Sequence, residues 1–254
     1  MTASIPTERA APTILGRCRL FFGHNTCIRT AGPRVRRLAR GSPDQVRRYG
    51  GKIVTNIRRA RREDIPALAG TLGAAFETYP WTRWTVPADG HLQRLEALFT
   101  VDLTEIGLVH DEIWTTEGGA AVAVWIPPRE LQTGTVNWAR HGEASTPLLG
   151  DRLAIADEAD TLIAPHRPEQ PAWYLATMGV HPDHQRKGLG SAVLGPVLER
   201  CDAEGWPCLT ETSSTDNVRF YRRLGFEVTA EVPMPDERPT VWVMWRAPRS
   251  LTPE

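Results

Sequence analysis

Gln185, Gly188 and Gly190 stand in a Q-x-x-G-x-G run, with Arg186 and Lys187 between the glutamine and the first glycine. Glycines let a ligand approach the backbone, and a helix start offers free N–H groups and the positive end of a dipole. Binding of a phosphorylated ligand is therefore the chemistry on offer. A Walker loop needs G-x-x-x-x-G-K-[ST], which occurs nowhere in the 254 residues. A dinucleotide loop would begin at the end of the preceding strand. Here seven residues separate Val180 from Gly188, and Val193 holds the third glycine position.

The elements around the loop must hold it in place. Trp173–Val180 is apolar, aromatic or β-branched and reads as a strand. His181-Pro182-Asp183-His184 breaks it, and from Leu189 apolar residues recur at helical spacing through Leu198. Downstream, Pro207–Thr210 reads as a strand leading to Glu211-Thr212-Ser213-Ser214, and Asn217–Phe226 as a short helix stopped by Gly225. Glu227–Val232 and Thr240–Trp245 close the sheet. Upstream, Thr55–Ala60 is a first strand. A helix follows from Arg62, with Ile65, Leu68, Ala69, Leu72 and Phe76 on one side. Trp81 and Trp84 fall in an irregular segment. Leu92–Ile106 is a second amphipathic helix, and Glu112–Thr116 pairs with Ala120–Ile126 across Glu117-Gly118-Gly119. Thr133–Pro147 is polar and poorly patterned, as a flap would be, and Asp151–Ile163 is helical. The sum is an α/β fold, a mixed sheet flanked by helices.

Two signatures in this order resemble the GNAT superfamily of N-acetyltransferases. One is the Q-x-x-G-x-G loop after the turn Val180-His181-Pro182; the other is F-Y-x-x-x-G-F at Phe220, Tyr221, Gly225 and Phe226. The resemblance implies an acyl-CoA N-acyltransferase fold with acetyl-CoA as co-substrate. Met178, Gly179 and Val180 would pair with the pantetheine arm. Gln185, Arg186, Lys187, Gly188, Leu189, Gly190 and Ser191 would hold the pyrophosphate. Asn217 would touch the coenzyme, although it lies closer to the tyrosine than the family's asparagine usually does. Tyr221 would be the general acid that reprotonates the thiolate. From Ile57 to Met244 the chain is similar to the puromycin-type N-acetyltransferases within that superfamily. AAFETYP (Ala74–Pro80), AAVAVW (Ala120–Trp125), LIAPHRPEQPAW (Leu162–Trp173), VHPDHQRKGLGSAVL (Val180–Leu194) and FYRRLGFEVTAEV (Phe220–Val232) carry that likeness. It implies a small-molecule amine acceptor, with puromycin's α-amino group foremost, and a part in antibiotic resistance. Tyr79, Trp81 and Trp84 are expected to line the acceptor pocket.

An α-amino group with a pKa near 7.7–8.0 is about a tenth neutral at pH 7, whereas a lysine amine near 10.4 would cost ~4.6 kcal/mol to deprotonate. Water or a modest carboxylate base then suffices, and Glu211, at the end of a strand, is the candidate. Backbone N–H near Met178–Val180 would polarise the carbonyl. The same chemistry on another small amine or a peptide N-terminus is the alternative. A non-catalytic module sensing coenzyme A is a reading of a different class, and a dinucleotide-dependent oxidoreductase a further one.

Composition sets bounds. The net charge is zero, yet Met1–Ile53 holds eleven Lys/Arg against two Asp/Glu, and the remainder 19 against 28. Residues 1–53 read as a disordered basic extension, dispensable for activity, before a domain spanning 54–250. Tyr49-Gly50-Gly51-Lys52 can be encoded by a purine run like a bacterial ribosome-binding site, with Val54 as a GTG start. A nucleic-acid-binding tail and a transit-like segment are the other readings of that stretch. Cys18, Cys27, Cys201 and Cys208 lack metal-site spacing, and the seven histidines are scattered, so no metal is expected. No apolar run reaches a membrane span. A cytoplasmic enzyme without nucleic-acid or membrane partners is the expectation, with its oligomeric state open.

Overall fold

A computed structural model describes residues 25–27, 48–49, 52–53, 56–128, 130, 138–236 and 238–249. Its central strand, β7, is Trp173–Val180, in order after β1 (Asn25–Cys27), β2 (Arg48–Tyr49), β3 (Lys52–Ile53), β4 (Ile57–Arg59), β5 (Ile113–Thr116) and β6 (Ala121–Ile126). Every residue of β7 is buried, as expected of a near-continuous apolar run covered on both faces. Then come β8 (Cys208–Thr212), β9 (Glu227–Val232) and β10 (Val241–Arg246). The sheet order is β4-β5-β6-β7-β8-β10-β9; β1 also pairs with β7, and β2 pairs with β3 in a separate two-stranded antiparallel sheet. The β7 pairs with β8 and with β1 are parallel and the others antiparallel, so the sheet is mixed.

Helices cover both faces. On one lie α1 (Ile65–Phe76), α2 (Pro80–Thr85) and α3 (His91–Asp102), the last running on through a π-turn at Leu103–Gly107. With them are α4 (Trp138–Leu149) and α5 (Leu153–Ile163). Leu72, Phe76 and Phe99 pack there with Val122, Val124 and Ala176. On the opposite face α6 (Leu189–Glu204) and α7 (Thr215–Arg223) bury Val193, Leu194, Val197 and Tyr221 against Ala121, Ala123, Leu175 and Met178. Full burial of such aliphatic side chains stabilises by ~1.5–3 kcal/mol each.

The expected α1 stripe is buried throughout. Two segments differ from the expectation. Trp81 and Trp84 sit on a short helix, not an irregular stretch. Pro80 suits its first position, the Thr82 hydroxyl donates to the carbonyls of Phe76 and Tyr79, and that of Thr85 donates to Trp81. Of the polar segment 133–147, residues 133–137 lie outside the described residues and 138–147 belong to α4. That helix buries Trp138, His141, Ser145 and Leu149, so half its inward stripe is polar and the period was hidden. His141 Nε2 stands 2.8 Å from Asp102 Oδ1, and burial pushes the Asp102 carboxyl pKa up. Cys201 and Cys208 are buried free thiols with sulfurs 3.2 Å apart.

β7 and β8 do not stay together. Trp173, Tyr174 and Leu175 face Cys208, Leu209 and Thr210, and the pairing stops there. Opposite, Val124 faces Thr177 while Trp125 faces Leu175, which leaves Ala176 as an extra residue in β7. A bulge increases local twist and bends its strand, and this one lies where the two parallel strands part. Gly179, beyond it, lets α1 approach: a Cβ there would lie 2.8 Å from Leu72 Cδ2 and 3.2 Å from Ala75 Cβ. The result is a wedge between the C-terminal halves of β7 and β8.

Candidate functional site

The glycine loop leaves β7 at the open end of this wedge. The Gln185 side-chain amide donates to the Val180 carbonyl at 3.1 Å, and Lys187 Nζ donates to the Asp183 carbonyl at 2.8 Å, folding the turn back on the strand it follows. Arg186 and Gly188 both adopt left-handed backbone, with φ of 61° and 83°. Gly188 is the residue before α6, and a Cβ at Gly188 would meet nothing within 4 Å. The cradle is therefore open, and the glycine is required by its backbone angle, not by crowding. The amides of Leu189, Gly190 and Ser191 open α6, the turn in which helix N–H groups lack partners within the helix. Anionic oxygens fit there. Gly188→Ala is expected to cost only about 1 kcal/mol of stability, because space is free. It should raise the KM for the phosphorylated substrate several-fold, read by a substrate titration of the variant.

Of the strand residues assigned to the same ligand, Met178, Gly179 and Val180 are all buried on β7. Gly179 has the second duty noted above, contact with α1.

A second cluster lies at the C-terminal end of β8. The Tyr79 hydroxyl is 3.0 Å from Thr212 Oγ1 and accepts from the Ser213 backbone N–H at 2.9 Å. Asn217 Nδ2 donates to the same Thr212 oxygen at 3.0 Å. Tyr79 and Asn217, placed by sequence in two different pockets, are thus joined through one threonine. Asn217 is fully buried, and its amide turns inward to β8. One residue back, Glu211 is buried and gripped by Arg167: Nε donates to Oε1 at 2.6 Å and Nη2 to Oε2 at 3.1 Å. The Tyr174 hydroxyl reaches Oε2 at 3.5 Å, and Arg167 Nη1 lies 2.8 Å from Asp160 Oδ1. Burial by itself would lower the Arg167 guanidinium pKa; the carboxylates of Glu211 and Asp160 reverse this and hold it well above its ordinary value. A carboxylate in two charge-assisted bonds has an acceptor site on each oxygen engaged. In this arrangement Glu211 and Arg167 hold one another in place.

Tyr221 follows Asn217 by one helical turn on α7 and is fully buried, its ring against Phe220 and Phe226 at centroid distances of 5.2 and 5.3 Å. The tryptophans separate in role. Trp81 is core, and Trp84 is half-buried, edge-on to Trp81 at 5.0 Å and beneath the Arg238 guanidinium at 4.9 Å. Their packing is that of aromatics fastening α2 to the domain. Sequence reasoning missed Thr212, Tyr174, Asp160 and Arg167. Arg167 had a signal, since it lies in the APHRP stretch already singled out.

Among the described residues no cluster of His, Cys, Asp and Glu could hold a metal ion, and no helix is long and apolar enough to cross a membrane.

Residues 149–228, which hold β7, the loop, α6, β8 and α7, match the Acetyltransferase (GNAT) domain family. An uncharacterised N-acetyltransferase of Schizosaccharomyces pombe is 26% identical over 117 residues, 42% of this chain and 47% of that protein. The L-methionine sulfoximine/L-methionine sulfone acetyltransferase of Salmonella typhimurium is 37% identical over 57 residues, 21% of this chain and 33% of that protein. The chain thus spans half or less of the curated relatives it matches. A crystal structure of a histone acetyltransferase HPA2 and related acetyltransferase from Corynebacterium glutamicum is similar in fold. Its TM-score is 0.59 at 24% identity, over 79% of this chain and 99% of that one. Arylalkylamine N-acetyltransferase 2 of Aedes aegypti gives a TM-score of 0.52 at 10% identity, over 76% of this chain and 98% of that one. The split parallel pair and the glycine loop before α6 both fall within the residues that match this family.

Proposed function

We propose that this protein is an N-acetyltransferase that moves an acetyl group from acetyl-CoA to the primary amine of a small molecule, in the cytoplasm. The observation that carries the reading is the wedge between β7 and β8, which opens directly onto the glycine loop. Acetyl-CoA supplies the activated acyl group and a thiolate leaving group. The amides of Gly188–Ser191 bind its phosphates, and β7 backbone N–H near Met178–Val180 polarises the thioester carbonyl, a contribution of ~10²–10³ in rate. Tyr221 donates the proton that the thiolate takes up. With Glu211 held by Arg167, water serves as the base, which suits an acceptor whose amine is partly neutral at pH 7.

The acceptor is an α-amine, with puromycin foremost, and the biological role is antibiotic resistance. Similarity of Ala74–Pro80 and Leu162–Trp173 to the puromycin-type enzymes supports this, and the Salmonella relative is named for two L-methionine derivatives, which also carry α-amines. Tyr79 borders the acceptor space; Trp81 and Trp84 shape it from behind. Residues 1–53 take no part in the chemical step. The test is release of free thiol from acetyl-CoA with puromycin, for the full chain and for one starting at Val54. Turnover in both supports the reading. No turnover with puromycin while another α-amine is acetylated moves the acceptor and keeps the enzyme; loss confined to the shorter chain overturns the dispensability of residues 1–53.

A further inference from the structure

A further strand lies in the wedge. β1 lies parallel to β7 in register Asn25↔Thr177, Thr26↔Met178 and Cys27↔Gly179. These positions begin two residues after Leu175, where β8 leaves β7, and β1 also lies against β8 and α1. Toward β6 the far half of β7 is already taken, since Ala121–Val124 pair with Val180–Thr177. Toward β10 the far half of β8 is taken as well, with Glu211 and Thr212 facing Val243 and Trp242. So one gap is left in the ladder, and Asn25–Cys27 occupies it as an eighth strand of the main sheet.

An open strand edge accepts any extended chain that offers amide hydrogen bonds. The backbone of β7 at Thr177–Gly179 can pair toward β8 with one such partner at a time. Resting on the acetyl-CoA reading above, we propose that Asn25–Cys27 is an intrasteric plug: it binds by strand addition in the slot that the amide-bearing arm of the co-substrate needs, and the two exclude one another. The extension before Ile57, with its eleven Lys/Arg against two Asp/Glu, then sets the apparent affinity for acetyl-CoA. Chemistry on the bound substrate is unaffected, because the plug must be out before any substrate is in.

Two measurements on the full chain test this. Amide exchange of a peptide covering Asn25–Cys27 is followed with and without saturating coenzyme A, and coenzyme A affinity is compared between the natural chain and Thr26→Pro. Proline removes an N–H and is tolerated poorly within a ladder, so it unseats the strand without touching β7 or the loop. The expected results are faster exchange of that peptide when coenzyme A is bound, and about tenfold tighter binding by Thr26→Pro, the scale of one or two net backbone hydrogen bonds. Unchanged exchange, or equal affinity in the two chains, overturns the plug while the acetyl-CoA reading stands. Failure of either chain to bind coenzyme A removes that reading, and the exclusion falls with it.

Discussion

Turnover of Tyr221→Phe is expected to fall by ~10²-fold, within the range contributed by a positioned general acid. The substitution is well suited to the question. Tyr221 is fully buried between Phe220 and Phe226, so phenylalanine keeps the ring packing and removes the hydroxyl alone. Stability should change by about 1 kcal/mol, the net worth of one hydrogen bond. Coenzyme affinity should stay within a factor of two or three, because the glycine loop proposed to hold the phosphates precedes α6 and is not on α7. The decisive comparison is kcat against coenzyme affinity. A fall in kcat with affinity kept is what loss of a proton donor produces; a non-catalytic coenzyme sensor would have no kcat to lose. Turnover equal to that of the natural protein would remove Tyr221 from the mechanism.

The second large effect belongs to Arg167. Its replacement by methionine leaves Glu211 and Asp160 buried without the cation between them. Breaking a buried ion pair from one side costs about 3–5 kcal/mol, because an uncompensated charge stays behind. For a domain of this size that lowers the Tm by roughly 6–20 °C. Adding Glu211→Gln to Arg167→Met should recover part of the loss, since the second change removes one stranded charge. Calorimetry of the two single variants and the double closes the cycle. If Glu211→Gln alone abolished turnover at unchanged Tm, the carboxylate would be restored as the base and the anchoring role withdrawn.

Much of the architecture was legible because periods were clean. The α1 stripe from Ile65 to Phe76, the unbroken apolar run of β7 and the glycine-stopped α7 each had one reading. The glycine loop was legible for a different reason: φ of 83° at Gly188 is a requirement that a sequence can satisfy in few ways. What stayed hidden was long-range. Tyr79 and Thr212 are 133 residues apart, and Arg167 and Glu211 are 44 apart; nothing local marks either pair. α2 escaped notice because it is only six residues long and two of its inward positions, Thr82 and Thr85, are threonines whose hydroxyls bond to backbone carbonyls. α4 did so because its inward face carries His141 and Ser145. The wedge itself turns on a single extra residue, Ala176, and one residue of bulge leaves no trace in composition or pattern.

Counting hydrogens at Thr212 gives the Tyr79–Thr212–Asn217 bridge a further property. Ser213 N–H points at the tyrosine oxygen and Asn217 at the threonine oxygen. Two hydroxyl hydrogens remain, and only one fits in the 3.0 Å gap between the oxygens. The other goes to a different acceptor, from Thr212 in one arrangement and from Tyr79 in the reverse. The two states differ by rotating a pair of O–H bonds, with no heavy atom displaced. An acceptor placed beside the Tyr79 hydroxyl would therefore fix the direction of the whole relay. Asn217, on the helix that carries Tyr221, would then meet a change of polarity and not of shape.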